Sequence, residues 1–162
     1  PHRTWIHKSV PLAQSAPLVR GAPEHQRGGW RILCCDDDEA SHDVVSGLFG
    51  PAGYCVTRVM DGPECLKAFE FGTFDVLLLG SRLPHISGVQ VCEALRKRFS
   101  ALELPIIMLT CRATAEEAAE AINAGCNDCI RKPLPQGELA ARVGAQLAVL
   151  SERVVAAPGL GA

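Results

Sequence analysis

Short apolar runs alternate with amphipathic stretches along residues 31–154. Arg31–Cys35, Tyr54–Val59, Asp75–Leu79, Pro105–Leu109 and Cys129–Arg131 read as strands. Val76-Leu77-Leu78-Leu79 is apolar at every position, as a strand buried on both faces must be. Between the runs, apolar residues recur at helical spacing. Ser41–Phe49 puts Val44, Val45 and Leu48 on one face before Gly50-Pro51-Ala52-Gly53 breaks it. Asp61, with Glu64 three residues on, caps a helix that runs to about Phe71 and stops at Gly72. Ser87 with Gln90 opens a third helix, to about Phe99. Thr114 with Glu117 opens a fourth, rich in alanine and glutamate, which Gly125 ends. A fifth runs from Gly137 to about Val154. Residues 1–30 carry Pro1, Pro11, Pro17 and Pro23 with no periodicity, and read as a disordered linker. The folded domain is then 31–150, and 151–162 is a helix end and linker.

Five strands alternating with five helices predict an α/β fold, a parallel sheet with helices on both faces. Right-handed crossovers restrict the connections. A flavodoxin-like, doubly wound (βα)5 sheet of order 2-1-3-4-5 satisfies them. In such a sheet the site lies beyond the carboxyl ends of the strands, at the switch between the first and third. Asp36, Asp37, Gly80, Thr110 and Lys132 all fall at strand ends, so residues scattered in sequence should converge in space.

Composition narrows the function classes. At 162 residues and 48% hydrophobic, the chain can bury one core with tails. It begins at Pro1 and not at methionine, which reads as a fragment or processed product. Its N-terminus lacks the basic-then-apolar pattern of a signal peptide. No apolar stretch approaches the roughly 18 residues of a membrane helix. Residues 1–30 hold four Lys/Arg and one acid, while the remainder holds 12 basic and 17 acidic residues. A mildly acidic domain is a poor nucleic-acid binder. Of the eight cysteines, Cys34, Cys35, Cys55 and Cys129 lie in strands and Cys65 and Cys92 in helices, which argues against a disulfide framework. Cys126-Asn127-Asp128-Cys129 has CxxC spacing, but a redox CxxC opens a helix, whereas this one spans a helix end and a strand start. Reduced thiols acting as small hydrophobes are the expectation, which points to the cytosol.

The strand ends carry the chemistry. Asp36-Asp37-Asp38-Glu39 cannot all stay ionised at close range without a cation, and adjacent carboxylates suit magnesium. Thr110 offers a hydroxyl, Lys132 an ammonium, and Leu83-Pro84-His85-Ile86-Ser87-Gly88 a hydrophobic-Pro-x-x-x-Gly loop. Together these features resemble the receiver domain of two-component response regulators, over about residues 31–150. The resemblance implies magnesium on Asp36, Asp37 and the backbone carbonyl of Arg82. It further implies a phosphoacceptor aspartate at position 80, phosphoryl oxygens held by Thr110 and Lys132, and a cis peptide at Lys132-Pro133. An inward-turning aromatic switch would stand at position 129.

Three positions depart from that pattern. Gly80 stands where the acceptor aspartate should be, Arg82 follows it, and Cys129 replaces the aromatic. Carboxylate nucleophiles split a hard transfer into two steps, and glycine cannot. Magnesium should therefore be weak or absent, with Lys132 paired to Asp36 or Asp37. Arg82 could instead swing into the acidic pocket as a fixed cation. The expectation is a pseudo-receiver, not an enzyme, acting by docking or dimerisation within a multidomain signalling protein. Its partners would be a histidine kinase, a phosphotransfer protein or its own output domain. A homodimer would use the fourth helix, fifth strand and fifth helix, including Glu116, Glu120, Arg131 and Arg142. One alternative is a working receiver that uses another acceptor. A remoter one is a haloacid dehalogenase-type phosphatase with Asp36 as nucleophile and Asp38 as general acid, although such an enzyme needs a further acidic motif beyond Lys132.

Overall fold

In the computed structural model, residues 29–112 and 114–156 are described. The strands are β1 (Arg31–Cys35), β2 (Cys55–Val59), β3 (Val76–Gly80), β4 (Ile106–Thr110) and β5 (Asp128–Arg131). The helices are α1 (Glu39–Phe49), α2 (Gly62–Phe71), α3 (Gly88–Arg96), α4 (Ala115–Asn123) and α5 (Gln136–Ala156). The sheet is parallel throughout, in the order β2-β1-β3-β4-β5. The doubly wound flavodoxin-like topology follows from it.

Side chains alternate across the sheet and divide the core in two. Leu33, Cys35, Leu77, Leu79, Ile106 and Met108 pack with Phe69 of α2 and Val91 and Leu95 of α3. Ile32, Cys34, Val76, Leu78, Ile107 and Leu109 pack with Val45 of α1 and Leu139, Val143 and Leu147 of α5. β1, β3 and β4 are therefore buried on both faces, which explains their unbroken apolar runs.

Local chemistry sets most boundaries. Asp61 accepts a hydrogen bond from Glu64 N at 2.8 Å, and Ser87 and Gln90 form a reciprocal capping box. Gly125, at φ 97°, carries the chain out of α4. The first helix begins two residues before the expected Ser41, because Asp38 is its cap: Oδ1 accepts from Ala40 N and Oδ2 from Ser41 Oγ. α3 ends at Arg96, short of the expected Phe99.

The linker expected at 1–30 lies almost wholly outside the described residues, as does the tail beyond Ala156. Trp30, assigned to that linker, instead packs on the α1–α5 core, and its carbonyl accepts from Cys55 N at 2.8 Å. Among the described residues no helix is long and apolar enough to cross a membrane.

Candidate functional site

β1, β3, β4 and β5 end side by side, and each delivers one residue of the expected site. Asp36 follows β1 and is fully buried. Lys132, just beyond β5, ion-pairs with Asp36 Oδ2 at 2.6 Å and donates to Oδ1 at 2.7 Å. Oδ1 also accepts from Asp38 N at 3.1 Å. The expected pairing of Lys132 with an acid of this pair thus falls on Asp36. Asp37 stays exposed. The Lys132-Pro133 peptide is cis, as expected.

Gly80 ends β3 beside this pair, in register with Leu109. A Cβ on Gly80 would lie 3.1 Å from Asp36 Cγ and 3.2 Å from Leu83 Cδ2. The neighbouring carboxylate and leucine therefore crowd the space beside the glycine without closing it. Gly88, the first residue of α3, sits so close that a Cβ there would strike the Gly80 carbonyl, so the start of α3 rests on the end of β3.

His42 of α1 is buried and was not singled out by the sequence. Its Nε2 donates to the Asp36 carbonyl at 2.7 Å, while Nδ1 has no partner among the described residues. Helical spacing alone would have placed it on a face with Val45, without showing its bond to the acid strand.

Thr110 is turned toward α4. Its hydroxyl lies 2.9 Å from Glu117 Oε2 and 2.7 Å from the Arg112 carbonyl, and accepts from Arg112 N at 3.2 Å. Having one proton, it donates to one of the two oxygens at a time. The sequence missed this role of Glu117, whose only signal was its helix-start spacing from Thr114. That spacing is real, since Glu117 N donates to Thr114 Oγ1 at 3.1 Å. The carboxylate, however, reaches to Thr110.

Arg82 does not fill the acidic pocket, which corrects the expectation of a fixed cation there. Its side chain is 59% exposed and approaches Glu117 Oε1 at 3.7 Å. The α4 carboxylate draws the guanidinium sideways, and Lys132 already satisfies Asp36. Arg142, expected on the open contact face, is held by Asp128 at 2.6 Å and Glu138 at 2.7 Å. Glu116, Glu120 and Arg131 remain exposed there.

Cys129 pairs with Met108 across β4 and β5 and packs against the α2–α3 core. With a small side chain there and alanines on α4, an open groove of about 1050 Å³ lies between α4 and the sheet. Met108, Thr110, Ala118 and Cys129 contribute to its walls.

Asp38 bears on the phosphatase alternative. The Ser41 hydroxyl bonded to its carboxylate holds its pKa below the usual range. A general acid at neutral pH needs the opposite shift.

Known proteins resemble this chain in sequence and fold. Residues 32–144 match the response regulator receiver domain. The transcriptional regulatory protein YrkP of Bacillus subtilis is 36% identical over 118 residues, covering 73% of this chain and 49% of its own length. The sensory transduction protein RegX3 of Mycobacterium tuberculosis is 35% identical over 116 residues, covering 72% and 50%. The chain therefore spans about half the length of these relatives. Among solved structures, a CheY-like receiver domain protein from Methanospirillum hungatei superposes with a TM-score of 0.71 at 28% identity, over 77% of this chain and 98% of that one. The BeF3-activated DrrB receiver domain gives 0.66 at 28% identity, over 74% and 97%. Sequence match and sheet order agree, and this chain belongs to the response regulator receiver domain family.

Proposed function

We propose that this receiver domain is a pseudo-receiver of a two-component system, working by protein–protein docking and not by phosphoryl transfer. The observation that carries this reading is Gly80. The acceptor position has no side chain, and the space beside it is crowded by Asp36 and Leu83. A carboxylate nucleophile is therefore missing where the transfer would occur. The sensing residues are committed elsewhere, Lys132 to Asp36 and Thr110 to Glu117 and Arg112.

The donor set does not fit magnesium. Both oxygens of Asp36 face the Lys132 ammonium, Gly80 supplies no carboxylate, and Asp37 with the Arg82 carbonyl is left as a thin remainder. Magnesium is held by hard oxygens, often one or two carboxylates with water completing its shell, and here only the exposed Asp37 carboxylate is left for it. No step of the proposed function runs through the metal.

The partner is then a histidine kinase, a phosphotransfer protein or an output domain, or a second copy of this chain. The face formed by α4, β5 and α5 is the proposed contact, with Glu116, Glu120 and Arg131 exposed on it. Arg142 acts there as a tether of β5 to α5 more than as an open cation.

Acetyl phosphate, or beryllofluoride with magnesium, tests the reading by native intact mass. The chain should gain no adduct, and Gly80→Asp should gain one. The new Cβ needs its neighbours to yield by a few tenths of an ångström, within what side chains absorb. A stable adduct on Asp37 or any other carboxylate of the unaltered chain would make it a working phosphoacceptor and end the pseudo-receiver reading.

A further inference from the structure

The turn that joins α4 to β5 is held from α3. Arg96 Nε donates to the Gly125 carbonyl at 2.7 Å, and its Nη2 donates to Asn127 Oδ1 at 2.9 Å. Asn127 Oδ1 also accepts from Ile106 N at 2.9 Å, and Asn127 Nδ2 donates to the Ala101 carbonyl at 2.8 Å. Cys126 and Cys129 lie on either side of this pinned asparagine. The bend brings Cys126 Sγ to 3.8 Å from Cys129 Sγ. Both cysteines are half-buried, and Cys129 forms part of the wall of the open groove. Cys34, Cys35, Cys65 and Cys92 are fully buried.

We propose that Cys126 and Cys129 form a redox-active dithiol, which low-molecular-weight disulfides of the glutathione type convert to an internal disulfide. This goes beyond the docking reading and uses none of the residues at the acid pocket. The two sulfurs already touch, and a disulfide needs them to close to the bonded distance of about 2.0 Å. Cys129 is the attacking sulfur, because it stands in the wall of the open groove that a small disulfide can enter. The Cys126 thiol hydrogen-bonds to it and brings its pKa down to about 7, while the same bond pushes Cys126 up. The other charged and titratable groups facing Cys129 are Asp128 on β5, Arg142 on α5 and Cys92 on α3. Near pH 7 a thiolate of that pKa combines availability with nucleophilicity.

The exchange balances in two steps. The Cys129 thiolate attacks one sulfur of the small disulfide. That S–S bond breaks, and the leaving thiolate takes a proton from water. Cys126 then loses its proton to water and attacks the Cys129 sulfur, releasing the second small thiol. The protein dithiol gives up two electrons and two protons, and the small disulfide becomes two thiols. The new bond ties the α4–β5 turn to β5 beside the groove. Transient disulfides of this kind are the form that cytosolic proteins use.

The experiment treats the full chain with oxidised glutathione near pH 7, blocks residual thiols and maps every cysteine by peptide mass. A Cys126–Cys129 disulfide should be the main internal product. In Cys126→Ser, which lacks the resolving sulfur, a glutathione mixed disulfide should persist on Cys129. In Cys129→Ser neither product should form at this pair. The proposal is overturned if Cys126 and Cys129 stay as thiols while exposed Cys55 or Cys111 carries the glutathione. It is equally overturned if Cys129 stays unmodified in Cys126→Ser. The unaltered chain decides the first outcome, so a variant that folds poorly cannot obscure the result.

Discussion

Asp36 and Thr110 end strands separated only by β3, yet their surroundings differ in kind. Around Asp36 the site is shut. A half-buried lysine closes on the buried carboxylate, α1 reaches in through His42, and the end of β3 presents bare backbone. Around Thr110 the site is open. The hydroxyl turns to α4, and a groove runs beneath that helix past Cys129. In the receiver pattern both regions would answer one phosphoryl group. Here the first is stabilised from within, and the second is left as surface open to a partner or a small disulfide. The closed half should therefore respond to mutation through stability, and the open half mainly through binding and reactivity.

The largest effect should come from breaking the closed half. Lys132→Met leaves the Asp36 carboxylate buried without its cation. Removing one partner of a buried pair costs about 3–5 kcal/mol. Urea unfolding should show that loss, and Asp36→Asn combined with Lys132→Met should recover most of it, because the orphaned charge is gone. A single-variant loss below about 1 kcal/mol would mean that the pocket is wet and the pair behaves as a surface bridge.

A smaller loss belongs to the helix that borders this pocket. Asp38→Ala removes the cap of α1, worth about 1 kcal/mol. Its pH dependence has a defined sign. The folded pKa of Asp38 is lowered, chiefly by the Ser41 hydroxyl bond, so its contribution is present above the unfolded value of about 3.9. It disappears as pH falls through the depressed folded value. The stability gap between Asp38→Ala and the parent should therefore be widest at neutral pH and narrow in acid. A gap that widened in acid would contradict the capping geometry.

The sequence made the closed half readable and left the open half mostly hidden. Strand ends follow from apolar runs and a parallel sheet gathers them at one edge, and the pairing of Lys132 with Asp36 or Asp37 was expected from the receiver resemblance. Caps at Asp61, Ser87 and Thr114 were equally visible, because a cap is a bond to a residue two or three positions on. Asp38 was harder to assign, since four acids in a row offer more than one cap. In the open half the deciding contacts are between elements. Glu117 looked spent on the helix start, and its bond to Thr110 depends on how α4 lies over β4. Arg82 is a long side chain in a loop, and its direction was set by a carboxylate 35 positions away in sequence. The Cys126–Cys129 contact was discounted because the spacing does not open a helix. Spacing could not show that Arg96 bends the turn until the sulfurs meet.

The smallest effects separate the two contacts made by Glu117. Its bond with Thr110 is half-buried, whereas its partner Arg82 is largely exposed and 3.7 Å away. A hydrogen bond to a charged group contributes about 1.5–3 kcal/mol at most, and Thr110 keeps the Arg112 carbonyl as a substitute acceptor, so Glu117→Ala should cost only about 1 kcal/mol. An exposed ion pair contributes about 0.2–1 kcal/mol and is screened by salt. Arg82→Ala should therefore fall at the low end of that range and vanish in molar salt, while the Glu117→Ala loss persists. If Arg82→Ala costs as much as Glu117→Ala at high salt, the arginine is buried on a partner or in the pocket. The division into a closed half and an open half would then have to be redrawn around it.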